Sequence, residues 1–397
     1  MKKAFYMMAA AAIALSSCSS EETTDVAKSS SITFRTSVGL NSRGAELTTG
    51  NLSSMFVSAY YLDGTEYFPS LEFTRQGSSN TFIPSTEKYW QNGKEYKFVA
   101  ISPAANEWGT VQPVTSISAD ASTDKVTCTD FVSDLDIANQ KDLVIGAVNA
   151  REENAGTNGV ELKLRHILSQ VVFKVKNDNK YITYSIKEVR IVNAKNKATY
   201  TLMTATPDNG GKWTEPSEKA TYTYKFSPIT LNEANTTATL TATDGGAMLI
   251  PQTITPWNGK KVTETDGVSD YDGGAYISLL LNVKHTDGNF IYPANAAGGN
   301  SYGWVAVPLP TGTKWDKSNK YIYTLNLSTG CGKVDPIDPG TSVDPSSPTN
   351  PTGKDPGKGE NVFGNVIKFD VTVLPWTDKN GVANGEATYD PNENIQM

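Results

Sequence analysis

The sequence predicts an all-β protein: two stacked β-sandwich domains, then a Pro/Gly-rich linker and a C-terminal strand. Three observations carry the prediction. From Ile32 to Leu327 the chain is cut into short alternating or apolar runs bounded by Gly, Pro, Asn and Asp, with hardly any helical periodicity. Its 397 residues give room for about two domains of ordinary size. Finally, two segments at opposite ends carry the same row of residues. Ile32, Phe34, Thr36 and Val38 alternate along one, and Ile367, Phe369, Val371 and Val373 along the other. Strand side chains alternate faces with a period of two, so each row presents four groups to one side and either row fits the same groove.

The elements follow in order. Residues 1–18 read as a lipoprotein signal peptide. Met1-Lys2-Lys3 is a positive start, residues 4–15 form an apolar run too short to span a bilayer as a helix, and Leu15-Ser16-Ser17-Cys18 resembles the bacterial lipobox. That resemblance implies cleavage before Cys18 and lipidation of its thiol. Residues 19–31, rich in Ser, Thr and Glu, read as a flexible tether. After the first strand, Ser42-Arg43-Gly44 lies in a polar stretch suited to an exposed, nickable loop, so Arg43 and Gly44 flank a candidate protease cleavage site.

Strands are expected at 55–61, ending at Asp63-Gly64, and at 96–101, ending at Pro103. The Asn/Gly-rich stretch 152–159 precedes a domain boundary, which puts an N-terminal sandwich at 32–163 and a C-terminal one at 164–332. The second holds expected strands at 170–175, 186–192, 247–250, 276–283 and 321–327. Residues 333–361 contain six prolines and four glycines with almost nothing apolar, and read as a linker able to reach roughly 90 Å if fully extended. Such a linker frees the candidate donor strand within 362–397 from its own domain; residues 387–397 add a second, weaker strand or fray.

Composition excludes several functions. The net charge of -7 and the lack of a basic stripe oppose nucleic-acid binding. Lipidation of Cys18 leaves Cys128 and Cys331, too few for a disulfide framework. His166 and His285 lack metal-site spacing, no hydrolase, P-loop or dinucleotide fingerprint occurs, and no cofactor is expected. His166 reads as a satisfied structural histidine. The acidic loop from Asp266 to Asp272 lacks EF-hand spacing and reads as turns. No metal ligands or catalytic residues are assigned, and the chain reads as a non-enzyme. Tryptophans such as Trp90, Trp108, Trp257, Trp315 and Trp376 suggest an alternative, a monomeric glycan-binding surface lipoprotein, since an exposed indole complements a sugar's C–H face.

The order of short motifs then resembles one family. Ile32-Thr33-Phe34 with Ser42-Arg43-Gly44, Tyr89-Trp90 before residues 96–103, Leu164-Arg165-His166 before Gln170, Leu249-Ile250-Pro251-Gln252, Val307-Pro308-Leu309-Pro310 before Trp315, and Val373-Leu374-Pro375-Trp376 are similar to the fimbrillin-like proteins of Bacteroidetes, subunits of type V pili. Glu21-Glu22, soon after the lipid cysteine, resembles the surface-export signal of lipoproteins in that group. The resemblance implies transthyretin-like sandwiches, a surface-exposed outer-membrane lipoprotein precursor, and a structural, adhesive fimbrial subunit. It further implies that an Arg-specific protease cuts at Arg43, that the strand bearing Ile32, Phe34, Thr36 and Val38 leaves, and that a neighbour's Ile367, Phe369, Val371 and Val373 enter. The partners so implied are other fimbrial subunits in a homo- or hetero-polymer, the outer membrane through the lipid, and host or bacterial surface ligands.

Overall fold

The computed structural model describes residues 30–38, 47–103, 116–120, 125–203, 211–241, 246–265, 268–294, 302–337, 355–365 and 367–375. The first unit contributes β1 (Phe34–Val38), β2 (Ser54–Tyr61), β3 (Glu66–Arg75), β4 (Thr81–Pro84) and β5 (Tyr96–Ser102). A hairpin of β6 (Ser116–Asp120) and β7 (Lys125–Val132) precedes β8 (Val144–Ala150) and β9 (Val160–His166). The second unit opens with β10 (Ser169–Lys176) and β11 (Ile182–Met203), then β12 (Lys212–Trp213), β13 (Ser217–Leu231), β14 (Thr237–Thr239), β15 (Ala247–Leu249) and β16 (Gln252–Thr253). It continues through β17 (Glu264–Thr265), β18 (Val268–Ser269), β19 (Tyr276–His285), β20 (Phe290–Tyr292), β21 (Gly303–Pro308), β22 (Lys314–Trp315) and β23 (Asn319–Asn326). The two-residue β24 (Lys333–Val334) and then β25 (Lys368–Pro375) follow. The protein is all-β, with no α-helix among the described residues.

In the first unit the strands close on themselves in the order β1-β4-β3-β2-β5-β8-β9. The strands of this first β unit thus close into a barrel, and the strand that closes it is β1. This strand pairs antiparallel with β4 on one side and parallel with β9 on the other, so it joins two strands that would otherwise be free edges. The barrel is filled by Phe34, Met55, Val57, Phe68, Phe73, Phe82, Trp90, Tyr96 and Phe98.

The second unit is a sandwich. One sheet has the order β14-β10-β23-β25, with β15 also on β10; the other runs β24-β21-β19-β11-β7-β6, with β12 and β13 on β11 and β20 on β19. Their inner faces meet in one apolar core, Val171, Phe173, Tyr321 and Tyr323 from the first sheet against Ile186, Val189, Leu279 and Val305 from the second.

Three boundaries differ from the sequence reading. The division expected between residues 163 and 164 falls inside β9, which continues to His166. The β6–β7 hairpin, placed by sequence in the first unit, belongs to the large sheet of the second: β11 is 22 residues long and its far half, Lys197–Met203, pairs with β7. The linker expected at 333–361 is folded at both ends. Lys333 and Val334 pair with Ala306 and Val305, and Gly359 N–H donates to the Val334 carbonyl at 2.9 Å. Backbone pairing needs no apolar side chains, so a Pro/Gly-rich composition does not forbid it.

The two units share an apolar contact. All of β5 is buried. Its Tyr96, Phe98 and Ala100 fill the barrel, whereas Val99 and Ile101 on the opposite face pack with Val126, Phe131, Ile145, Met248 and Ile250. A strand buried on both faces reads as a continuous apolar run, as this one does.

Candidate subunit-exchange site

The first strand is seated by its side chains and by its backbone. Ile32, Phe34, Thr36 and Val38 are all at most 5% exposed, so the four residues of the sequence pattern point into the barrel. The Phe34 ring meets Phe73 and Phe98 edge-on at 4.9 and 5.0 Å between centroids. Burying Ile32, Phe34 and Val38 at about 1.5–3 kcal/mol each stabilises the seated strand substantially. On the outward face, Arg35 and Glu161 form an ion pair at 3.3 Å, half exposed and therefore weak.

Both ends of the strand are fastened by side chains. At the start, the Glu152 carboxylate accepts the Ser30 backbone N–H at 2.9 Å and its hydroxyl at 2.6 Å. The Ser30 hydroxyl and N–H together hold this carboxyl below the usual glutamate range. Ile32 N–H donates to the Lys88 carbonyl, and Trp90 N–H to that of Ser30. Close by, Val160 N–H donates to the Thr33 carbonyl at 2.9 Å. The preceding Gly159 has φ +84°, and a Cβ there would sit 2.4 Å from that same carbonyl oxygen, so only glycine fits.

At the far end the Thr49 hydroxyl accepts Val38 N–H at 2.8 Å and donates to the Val38 carbonyl at 2.9 Å. Arg75 holds Thr49 in place by donating to its carbonyl and, at 2.7 Å, to that of Leu52. Arg43 and Gly44 fall in sequence between Val38 and Thr49 but outside the described residues, and Cys18 also lies outside them. Immediately after that segment, Leu47 N–H donates to the Asp142 carboxylate at 2.9 Å, and the same oxygen is 2.7 Å from Nδ1 of His166. His166 is thus a buried histidine held through Nδ1, and its partner Asp142 anchors the chain downstream of the candidate cut.

The candidate donor strand is placed differently. Sequence reading freed it from its own body, whereas β25 pairs antiparallel with β23 over its full length, Asn326 opposite Lys368 through Asn319 opposite Pro375. Ile367 is buried, Phe369 lies edge-on to Tyr323 at 6.2 Å, and Phe369 and Val373 pack against the sandwich core. The seat is incomplete at one place of the inward row, where Val371 is 36% exposed. β25 forms the edge of its sheet, with one neighbour instead of two. Upstream, Val362 N–H donates to the Gly332 carbonyl at 3.0 Å and Asn365 N–H to that of Thr329 at 2.8 Å.

The remaining sequence candidates resolve into structural roles. Trp90, Trp257 and Trp315 are buried, as is Trp304, so none offers a sugar an open ring; Trp108 and Trp376 lie outside the described residues. Asp270 accepts the Thr263 N–H and hydroxyl at 2.7 and 2.6 Å, and Asp272 accepts N–H groups of Asn258 and Gly274, both at 2.9 Å. These are turn roles. Among the described residues no cluster of three or more His, Cys, Asp or Glu side chains is placed to hold a metal. Cys128 and Cys331 are free and buried, and burial pushes the Cys128 thiol up to about 12. Sequence reading missed Thr49, Glu152 and Asp142, whose only local signal is that they flank turns.

A two-unit β protein whose first barrel is closed by one strand from early in the chain, fastened at both of its ends by side chains, is the class this geometry defines. The chain belongs to the fimbrillin-like family, whose model matches residues 24–344. Similar solved structures include a candidate cell adhesion protein from Bacteroides ovatus, 12% identical, covering 76% of this chain and 93% of that one at a TM-score of 0.39. Another, from Bacteroides eggerthii, is 14% identical and covers 88% of this chain and 96% of its own at 0.38. A fimbrial assembly protein from Parabacteroides distasonis is 12% identical, covering 76% and 92% at 0.32. No curated protein matches the chain.

Proposed function

We propose that this cell-surface fimbrial subunit, structural and adhesive and without a catalytic role, assembles by strand exchange. The precursor is anchored to the outer membrane through a lipid on Cys18. Cutting at Arg43 frees the strand bearing Ile32, Phe34, Thr36 and Val38, and the strand bearing Ile367, Phe369, Val371 and Val373 of a neighbouring subunit takes its place. One observation carries this reading: among the described residues β1 alone lies between β4 and β9, so its departure leaves two unpaired edges and an apolar trench.

The pairing of β25 with β23 favours the alternative in which both end strands stay in one monomer. The quality of the two seats argues against it. In its own sandwich β25 leaves the inward Val371 exposed at a sheet edge, whereas the groove of β1 buries every inward residue and pairs both backbone edges. β25 on β23 is a parked donor. Because residues 355–365 are pinned to the sandwich, the donated strand departs near Gly364 rather than from Lys333.

The test is assembly of the full chain after trimming with an Arg-specific protease. Wild type is expected to give ladders of non-covalent oligomers, and the double substitution Phe369→Asp and Val371→Asp to remain monomeric while its unprocessed form still folds. Polymers from that variant would contradict the reading. Protein recovered from cells should begin at Gly44, and an Arg43→Ala chain should keep its lipid-modified start. Homo- or hetero-polymer composition and the surface ligand follow from which partners co-purify in the ladder.

A further inference from the structure

The two rows of inward residues match at three places of four. Ile32 corresponds to Ile367, Phe34 to Phe369 and Val38 to Val373, but Thr36 corresponds to Val371. The mismatch falls where the resident strand is at fault: Thr36 is 5% exposed and its hydroxyl has no hydrogen-bond partner. Its neighbour in register on β9 is the buried Leu162. A buried hydroxyl without a partner keeps the desolvation cost and gains nothing in return.

We propose that Thr36 is a built-in weak point that makes the resident strand a placeholder, and that Val371 is the residue by which the groove prefers the incoming strand. This rests on the strand-exchange reading and adds its direction. Valine matches threonine in shape but replaces the hydroxyl with a methyl group, so the incoming strand fills the same volume without burying a lone polar atom. Val371 also gains from the move, since it is 36% exposed on β23 and would enter a site that leaves 5% of its occupant exposed. Both differences favour exchange. Cutting at Arg43 then removes only the covalent hold that keeps the poorer strand in place.

The same register sets one opposing effect. Arg35 stands opposite Glu161 on β9, and Asp370 would replace it there. This pair is half exposed, so salt screens the repulsion and exchange is favoured by added salt rather than slowed.

The experiment uses the full-length protein nicked at Arg43, with a synthetic peptide of residues 365–376 in excess, and follows release of the N-terminal fragment by mass spectrometry. Wild type is expected to release it readily, and Thr36→Ser, which keeps the hydroxyl but loses a buried methyl group, somewhat faster. Thr36→Val is expected to slow release about tenfold, the equivalent of ~1.4 kcal/mol, and to raise the denaturation midpoint of the uncut chain. A peptide carrying Val371→Thr should compete correspondingly less well. If wild type exchanges normally and Thr36→Val releases at the same rate, the placeholder proposal is overturned while strand exchange stands. If wild type itself never takes the peptide and never polymerises after nicking, strand exchange fails and the proposal fails with it.

Discussion

The Thr49 hydroxyl both accepts the backbone N–H of Val38 and donates to its carbonyl, at 2.8 and 2.9 Å, and so acts as a side-chain substitute for the next rung of the ladder. It sits at the last residue of β1, at the end nearer in sequence to Arg43. A latch there keeps the uncut strand seated.

Thr49→Val keeps the shape and removes both hydrogen bonds. The expected loss is about 1–2 kcal/mol in the uncut chain, with local loosening at Val38. Amide hydrogen exchange at Val38 measures it directly. Unchanged protection at that amide would show that the latch contributes nothing.

At the other end of the strand, Glu152 supplies a pH dependence whose sign is fixed by its lowered pKa. A carboxyl depressed in the folded state stabilises above its unfolded pKa, about 4.3 for glutamate, and loses that contribution as the pH falls through the folded value. Acid should therefore speed release of the first strand from nicked protein. Glu152→Gln should release it faster at neutral pH and respond less to acid, a comparison that separates this carboxyl from the others titrating in the same range.

Gly159 sets a steric limit on how β1 can sit. Gly159→Ala places a Cβ 2.4 Å from the Thr33 oxygen in a backbone conformation with φ +84°, and should destabilise the uncut chain by roughly 2 kcal/mol or more. Calorimetry of Gly159→Ala beside Gly156→Ala is the check. Gly156 shares a positive φ with nothing within 4 Å of its Cβ, so equal losses would mean that backbone strain alone is at work.

Much of this was legible in the sequence, because alternation is local. The strands near Met55, Tyr96, Val171, Ile277 and Tyr321 and the four buried residues of β1 follow from a period of two read over a few positions. What was not legible depends on residues far apart in the chain. Nothing near Lys125 says that β7 pairs with the far half of β11, and nothing near Glu152 says that it caps Ser30, 122 residues away. The barrel closure was hidden for the same reason, since β1 and β9 lie at opposite ends of the first unit in sequence. Composition misled at residues 333–337 and 355–361, where main-chain pairing fastens a Pro/Gly-rich stretch to the sandwich and Val334 enters the core.

The central claim is that a neighbour's C-terminal strand takes the place of β1, and a cysteine trap tests it most directly. Arg35 is the register partner of Glu161, and Asp370, its counterpart, is the register partner of Thr324 in its own sandwich. These outward positions stay accessible to oxidant, while Cys128 and Cys331 are buried. After trimming at Arg43, the chain carrying Glu161→Cys and Asp370→Cys should oxidise to a ladder of covalent oligomers on a non-reducing gel, and the untrimmed chain should not. A chain that stays monomeric after trimming, while Thr324→Cys with Asp370→Cys closes an internal disulfide before and after the cut alike, would contradict the account.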